Sequence, residues 1–170
     1  RQLQFGRIEP PAVNTRGLRC EYLNDPSAID TVNPRLSWII ESEQRGQIQT
    51  AYQILVASSE KLLSQDRGDL WDTGQVTSDQ SAQIVYAGAS LISREKCFWK
   101  VRTWDRDGKV SGWSAVASWS MGLLKASDWQ EHYISFRDTT PVWTNAARLF
   151  LPPAHQYRRE FSATKKIKRA

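Results

Sequence analysis

The chain has 170 residues, of which 40% are hydrophobic and 24% are charged, so it suits one or two soluble domains with a core of their own. Its net charge of +5 arises at the C-terminal end, because residues 155–170 carry six bases and one acid whereas residues 1–154 are balanced. A nucleic-acid-binding domain carries its bases on one face of the folded body and a membrane-spanning helix needs about 18 consecutive apolar residues, so neither nucleic acid nor a membrane span is predicted.

The first predicted strand follows an N-terminal arm, residues 1–16, which is polar and contains two adjacent prolines. Leu18, Cys20 and Tyr22 alternate with polar residues, and a period of two indicates a half-buried strand with these three side chains pointing inward. The Asn-Asp-Pro stretch that ends at Pro26 is a turn signal. The first domain is therefore predicted to begin at residue 17.

Two further strands show the same alternation, and a short helix follows them. A serine before Glu60 is a helix N-cap signal, so one or two helical turns are predicted over Leu62 and Leu63. The inward positions of the two strands are predicted to be Leu36, Trp38, Ile40, Tyr52, Ile54 and Val56.

The clearest predicted strand covers residues 97–104. Its inward residues are Cys97, Trp99, Val101 and Thr103. Its outward residues are Phe98, Lys100, Arg102 and Trp104. The Asp-Arg-Asp-Gly stretch that ends at Gly108 predicts a tight hairpin, because glycine accepts positive φ without steric cost. A calcium loop is rejected, since its first and last ligand positions would fall on Thr103 and Ser114.

Shorter strands are predicted over residues 71–76, with an interruption at Gly74, and over residues 82–86 and 117–121. About seven short strands separated by turn signals, without long helical periodicity, are typical of an antiparallel sandwich. The predicted fold class is therefore all-β, with one sandwich over residues 17–124. Residues 125–170 contain two adjacent prolines and one alternating stretch, and they are too short for a core of their own. They are predicted to begin a second domain.

Residues with catalytic or metal chemistry form no recognisable motif. The two histidines lack metal-ligand spacing, nucleotide-binding loops and hydrolase nucleophile motifs are absent, and no carboxylate pair can be selected for glycoside hydrolysis. No catalytic residue, metal or cofactor is therefore predicted. Cys20 and Cys97 are too few for a disulfide framework, so they are predicted to be free and buried, with a bond between them as the alternative.

Aromatic side chains are the remaining candidates for binding, since the sequence contains eight tryptophans. Flat apolar rings can stack on sugar rings or fill a contact between domains. Phe98 and Trp104 are candidates because they lie on the outward face of the clearest strand, and Trp71 and Trp113 are further candidates. Packing within the chain is the alternative for all four.

The sequence also contains an ordered series of longer motifs. They are Leu18-Arg19-Cys20-Glu21-Tyr22-Leu23, Pro34-Arg35-Leu36-Ser37-Trp38, Gln49-Thr50-Ala51-Tyr52-Gln53-Ile54, Leu70-Trp71-Asp72-Thr73-Gly74, Trp99-Lys100-Val101-Arg102, Trp113-Ser114, Ser127-Asp128-Trp129 and Tyr157-Arg158-Arg159-Glu160-Phe161. In this order they resemble the N-terminal region of bacterial α-L-rhamnosidases, which are inverting glycoside hydrolases. The resemblance covers residues 17–170.

The resemblance implies a fibronectin type III-like (immunoglobulin-like) sandwich over residues 17–124, followed by the first strands of an incomplete jelly-roll accessory domain over residues 125–170. In this family the catalytic carboxylates lie in a later barrel of paired α-helices, so none is carried over. The implied partners are the jelly-roll and catalytic domains of the same parent chain, and the implied location is periplasmic or secreted. Such sandwiches often hold a tyrosine near the start of the sixth strand. This sequence has Cys97 there, so the loop after Leu91 must be fixed in another way.

The leading hypothesis is a non-catalytic structural and docking segment of an α-L-rhamnosidase that removes terminal α-L-rhamnose from glycans. One alternative is a carbohydrate-binding module that takes a rhamnose-containing glycan. Another is an adhesion or protein-interaction module, since one fold hosts many functions. Residues 157–170 would lack sheet neighbours and leave an unpaired strand edge, so this segment is expected to be disordered, to pair with a second copy of the chain or to add to an available sheet edge.

Overall fold

The structure is a computed structural model that describes residues 13–129, 156–158, 160 and 162. The chain divides into two compact units, residues 1–130 and residues 131–170. The predicted arm, the predicted jelly-roll strands and the predicted self-pairing strand fall mostly outside the described residues. They and the predicted domain boundaries stay predictions.

Short strands dominate the first unit. Residues 13–129 contain eight strands and one α-helix, α1 (Glu60–Ser64). The strands are β1 (Asn14–Cys20), β2 (Arg35–Glu41), β3 (Ala51–Ala57), β4 (Trp71–Asp72), β5 (Val76–Thr77), β6 (Ile84–Val85), β7 (Lys96–Trp104) and β8 (Ala117–Ser120). The strand predicted over residues 71–76 is thus two strands, with Gly74 at φ +57° between them, a conformation that glycine adopts without steric cost.

The strands form two antiparallel sheets. One sheet has the order β1–β2–β6, and the other has the order β4–β3–β7–β8 with β5 also pairing with β3. β3 and β7 pair over seven positions, from Ala51 opposite Trp104 to Ala57 opposite Phe98. The predicted all-β, immunoglobulin-like antiparallel fold is confirmed.

The main hydrophobic core contains inward side chains of both sheets. Trp38, Tyr52, Trp99 and Val101 belong to one buried cluster, and the Trp38 and Tyr52 rings meet edge to face at 5.2 Å. The Trp38 indole N–H donates to Gln49 Oε1 at 3.0 Å. A buried Trp removes about 150–250 Å² from water, which stabilises the fold by roughly 4–6 kcal/mol before conformational entropy is subtracted. The inward faces predicted for β2, β3 and β7 are confirmed.

The inward orientation predicted for Tyr22 is wrong. β1 ends at Cys20, and the next two residues, Glu21 and Tyr22, have φ of 47° and 64°. These left-handed conformations turn the chain out of the sheet, so that Tyr22 is 52% exposed. The Arg35 guanidinium lies 5.2 Å from the Tyr22 ring centroid.

A second hydrophobic cluster lies on the other face of the five-stranded sheet. α1 covers this face, because Leu63 packs on Leu55 and Ala57 of β3. β3 is therefore buried on both faces, which its alternation did not predict. The short helix is confirmed, but Ser59 makes no side-chain capping hydrogen bond. The preceding serine, Ser58, donates its hydroxyl to Asp69 Oδ2 at 2.7 Å instead.

Two polar side chains fix the loop after Leu91, where the sequence has Cys97 in place of a tyrosine. Glu95 Oε2 accepts a hydrogen bond from the Ile92 N–H at 2.8 Å. The Ser93 hydroxyl accepts one from the Leu124 N–H at 2.8 Å. The loop is therefore held by its own side chains.

Tyr86 performs the loop-pinning role elsewhere in the fold. Its ring is buried, and its hydroxyl lies 2.8 Å from the Ala89 carbonyl oxygen and 3.2 Å from the Leu70 carbonyl oxygen. One hydroxyl thus holds the segment before β4 and the segment after β6 together.

The hairpin predicted after β7 is confirmed, and Asp105 organises it. Asp105 Oδ1 accepts hydrogen bonds from the N–H groups of Asp107 (2.9 Å) and Lys109 (2.8 Å). Asp105 has no exposed surface, so its carboxylate is buried beneath the turn that it organises.

A short segment runs alongside the outer edge of β8. Asp25 Oδ1 accepts a hydrogen bond from the Ser118 N–H at 2.7 Å. The Ser120 N–H donates to the Pro26 carbonyl at 3.0 Å, and the Ser120 carbonyl accepts from the Ile29 N–H at 2.9 Å. The last described strand is therefore paired on both sides along part of its length.

Candidate functional site

The four aromatic residues selected from the sequence occupy two different places. Phe98, Trp104 and Trp113 lie on the outer face of the five-stranded sheet, whereas Trp71 lies at the edge where β4 and β6 approach. All four are half-buried. The structure therefore brings three of the four candidates together, and their role as contact residues stays a prediction.

The first candidate site is the aromatic–cation face, which we define by Phe98, Lys100, Arg102, Trp104 and Trp113. β7 supplies four of these residues, because alternate residues of a strand point to the same face. The Arg102 guanidinium carbon lies 4.6 Å from the Trp113 ring centroid and 5.4 Å from the Trp104 ring centroid. Such contacts each contribute about 0.5–1 kcal/mol where exposed and more where desolvated.

Arg102 is held in place by the sheet beneath it. Its Nε donates to Gln53 Oε1 at 2.9 Å, and Gln53 Nε2 donates to Asp72 Oδ1 at 2.8 Å. Within the described residues the ion pairs and hydrogen bonds leave the two terminal nitrogens of Arg102 without a carboxylate partner. The guanidinium is therefore oriented and partly desolvated, and its charge is one of the causes that lower the pKa of the nearby Asp66 carboxyl.

Lys100 is the buried cation of this face. It is only 6% exposed, and its Nζ donates to the Leu63 carbonyl at 2.5 Å and forms an ion pair with Asp66. The same ammonium lies 4.7 Å from the Trp113 ring centroid. The hydrogen bond from Lys100 lowers the pKa of the Asp66 carboxyl below its usual value, so Asp66 stays charged and Lys100 stays paired.

The sequence contained a second signal for this site, besides the presence of aromatic rings. The alternation of β7 places Lys100 and Arg102 between Phe98 and Trp104 on one face. A face that alternates cations with aromatic rings favours stacking between them, so Arg102 could have been selected. The burial of Lys100 could not, because it depends on α1.

The second candidate site is the Trp71 cleft, a concave region of about 450 Å³ at the edge of the sandwich. It is lined by Tyr52, Trp71, Asp72, Thr73, Val76, Gln80, Gln83, Ile84 and Val85. The Trp71 ring packs edge to face on Tyr86 at 5.2 Å, which fixes the indole while leaving it part of the cleft wall.

A further concave region of about 480 Å³ lies near the end of the first unit. Arg94, Met121 and Trp129 contribute to its wall. Trp129 is 65% exposed. Its position close to the last residues of the unit makes it a less self-contained site than the Trp71 cleft.

The thiols do not form a reactive site. Cys20 and Cys97 are both free and buried, which confirms the expectation from the sequence. Burial raises the pKa of each thiol to about 12, so both stay protonated at neutral pH and are poor nucleophiles. In the part of the chain that the structure describes, no three His, Cys, Asp or Glu side chains come together as a metal site.

No helix among the described residues is long and apolar enough to cross a bilayer.

Comparisons with known proteins give one consistent result. Residues 15–125 match the family model described as Rha78A-like, N-terminal immunoglobulin domain. An α-L-rhamnosidase from Streptomyces avermitilis is 47% identical over 129 residues, which are 76% of this chain and 12% of that protein. The chain therefore spans about an eighth of the length of this curated relative.

Solved structures give the same picture. The crystal structure of the Streptomyces avermitilis α-L-rhamnosidase complexed with L-rhamnose matches with a TM-score of 0.67 and 44% identity, over 70% of this chain and 11% of that one. The α-L-rhamnosidase from Dictyoglumus thermophilum matches with a TM-score of 0.67 and 36% identity, over 68% of this chain and 13% of that one.

Proposed function

Because the chain belongs to the family of Rha78A-like, N-terminal immunoglobulin domains, we propose that it is a non-catalytic docking domain of an α-L-rhamnosidase. Its parent protein hydrolyses terminal α-linked L-rhamnose from glycans, and the chemistry lies in another part of that protein. The sandwich braces this other part through the aromatic–cation face.

The observation that carries the proposal is the state of Arg102. Its guanidinium lies between two tryptophan rings and is oriented by Gln53, although within the described residues no carboxylate is paired with it. An oriented, partly desolvated arginine beside Trp104 and Trp113 has the composition of an interface centre, where Arg and Trp are enriched. A carboxylate of a neighbouring domain in the same parent chain would complete the pair.

The interior of the sandwich supports the non-catalytic part of the proposal. The space between the sheets is filled by large apolar side chains such as Trp99 and Trp119, which are 0% and 1% exposed. Glycoside hydrolysis by this kind of enzyme uses two carboxyl groups across a sugar site. Asp105 is the one fully buried acid among the described residues, and its Oδ1 is occupied by the hairpin.

Hydrogen–deuterium exchange tests the docking face. Exchange of the β7 peptide is compared between the 170-residue chain and a parent protein that contains it. We expect slower exchange around Arg102 and Trp113 in the parent, and the Arg102→Ala variant should weaken this protection by about tenfold. Arg16→Ala is the matched control, because Arg16 pairs with Glu41 on the other sheet with 61% of its side chain exposed.

Two results would contradict the proposal. Equal exchange of β7 in the isolated chain and in the parent would remove the docking role. Turnover of an aryl α-L-rhamnoside by the 170-residue chain alone would remove the non-catalytic assignment.

A further inference from the structure

We propose that the Trp71 cleft binds one neutral pyranose residue of a glycan. The cleft lies at the edge of the sandwich, with β4 and β5 of one sheet on one side and β6 of the other sheet on the opposite side. Its volume of about 450 Å³ falls within the roughly 300–1,000 Å³ that ligand clefts occupy.

The apolar wall of the cleft suits the C–H face of a sugar ring. Trp71 supplies the aromatic surface, and its contact with Tyr86 at 5.2 Å holds the indole in one position. Val76, Ile84 and Val85 extend the apolar wall, and Val85 is 53% exposed. A preorganised aromatic ring loses little side-chain entropy when a ligand packs on it.

Two polar residues that line the cleft, Asp72 and Gln80, have hydrogen-bond capacity left. Asp72 Oδ1 is occupied by Gly74 N–H and Gln53 Nε2, both at 2.8 Å, which leaves Oδ2 as an acceptor. Gln80 Nε2 donates to the Ala82 carbonyl at 2.9 Å, which leaves its Oε1 as an acceptor. Hydroxyl groups of a sugar can donate to both oxygens.

Gln83 adds an adaptable group at the rim of the cleft. Its φ of 57° lies in the left-handed region, which is uncommon for a residue other than glycine, asparagine or aspartate. Its exposed side chain lines the cleft, and its amide can both donate and accept hydrogen bonds. A glutamine held in this conformation presents its amide next to the apolar wall.

The charges of the residues that line the Trp71 cleft indicate which class of ligand it binds. Asp72 carries the single carboxylate among the lining residues, and these residues include no lysine or arginine. A phosphate or carboxylate ligand would meet a negative charge without a cation to compensate it, and like charges in a partly desolvated site repel. An uncharged ring with hydroxyl groups and an apolar face suits both the apolar wall and the polar lining residues of the cleft.

The choice of L-rhamnose as the first probe rests on the proposed function. This sugar lacks the 6-hydroxyl, so its methyl group offers additional apolar surface to Val76 and Ile84. The site itself is inferred from the cleft, so a different neutral pyranose would satisfy it.

The test is a titration of the 170-residue chain followed by two-dimensional amide and indole NMR. We expect methyl α-L-rhamnoside to shift the Trp71 indole and residues 72–76 and 83–85 in a saturable manner, with affinity in the millimolar range. Trp71→Ala should weaken binding by at least about tenfold. Trp129→Ala is the matched control and should leave binding unchanged, because Trp129 is exposed and belongs to the other concave region.

A second variant protects the test against misfolding. Gln83→Ala removes an exposed side chain and should weaken binding about threefold or more without altering the rest of the spectrum. Methyl α-D-glucoside and methyl β-D-galactoside are titrated in parallel. If one of them binds in the cleft and the rhamnoside does not, the site stands and the sugar chosen from the proposed function is wrong.

Absence of saturable shifts with all three glycosides would overturn the site and leave the docking role of Arg102 untouched. Shifts confined to Trp113 or Trp129 would overturn it as well. Exchange protection of β7 in the parent protein is measured independently, so failure of the cleft and failure of the proposed function are distinguishable.

Discussion

Lys100 and Asp66 form an ion pair that ties the middle of β7 to the turn after α1. The two partners differ in environment, because the side chain of Lys100 is 7% exposed and that of Asp66 is 61% exposed. The exposed carboxylate of Asp66 therefore neutralises a cation that the fold has removed from water. We expect Asp66 to contribute more to stability than its exposed position suggests.

We expect Asp66→Asn to lower the free energy of unfolding by about 1–2 kcal/mol, since a buried Lys100 loses its counter-charge; the exposure of Asp66 keeps the loss below that of a fully buried pair. Asparagine is a suitable replacement, because Asp66 has φ of 54° and Asn tolerates this conformation. Urea unfolding at pH 7 measures the effect. Asp79→Asn, at an exposed position, is the control and should change stability by less than about 0.5 kcal/mol.

The same pair predicts a pH dependence at the acidic end. The pKa of Asp66 is lowered in the folded protein, so at low pH the folded state binds fewer protons than the unfolded state and stability rises with pH. The contribution is complete above the usual pKa of 3.8 and is lost as the pH falls through the lower folded value. Unfolding curves between about pH 5 and pH 2 should show that stability declines more steeply for the unsubstituted chain than for the Asp66→Asn variant. Parallel curves would contradict the pairing.

Tyr86→Phe should destabilise the fold by about 1 kcal/mol, because the hydroxyl that holds Leu70 and Ala89 is lost. Burial raises the pKa of Tyr86 to about 12 from 10.0, so its contribution is present below pH 10 and declines as the pH rises through 10 to 12. Thermal unfolding across this range should show a weaker decline for Tyr86→Phe. Tyr22→Phe is the control, since Tyr22 is 52% exposed.

Gly17→Ala should cost about 1–2 kcal/mol. Gly17 has φ of 61°, and an added Cβ would lie 3.0 Å from Ile39 Cδ1 at the irregularity in the β1–β2 register. Two other glycines distinguish backbone strain from steric contact. Gly74→Ala tests a positive φ without a contact to the added Cβ, and Gly112→Ala has neither a positive φ nor a contact. Chemical denaturation should rank the losses in that order, and an equal loss in all three would show that Gly17 has no special role.

Both thiols should resist alkylation in the folded protein. Cys20 and Cys97 are 1% and 0% exposed, and burial raises the pKa of each to about 12, so little thiolate is available at pH 8. Mass spectrometry after iodoacetamide should find no adduct on the native chain and two adducts after unfolding. Rapid labelling of either cysteine in the native state would contradict the described burial.

Alternation in the sequence predicted the shared interior well, because a half-buried strand shows its period directly. Trp38 and Trp99 occupy the core as predicted. The alternation does not say what covers the opposite face of a strand. Lys100 and Leu55 are buried because the short helix α1 lies over them, and this tertiary contact leaves no local signal.

The two candidate sites were predictable only in part, because they also depend on tertiary contacts. Ring type selected Trp71 and Trp113, but the cleft around Trp71 depends on how far β6 of one sheet lies from β4 of the other. That distance is set by packing across the sandwich. An arginine at position 102 was visible in the sequence, whereas the acidic groups that lie near it depend on the folded surface.

The segment that runs along β8 also affects whether copies of the domain can associate through this strand edge. An open strand edge offers a row of amide and carbonyl groups on which identical chains can stack into fibrils. Here Asp25, Pro26 and Ile29 occupy those groups on Ser118 and Ser120. Along this part of β8, the backbone groups on which another copy of the chain could add a strand are therefore already occupied within the domain.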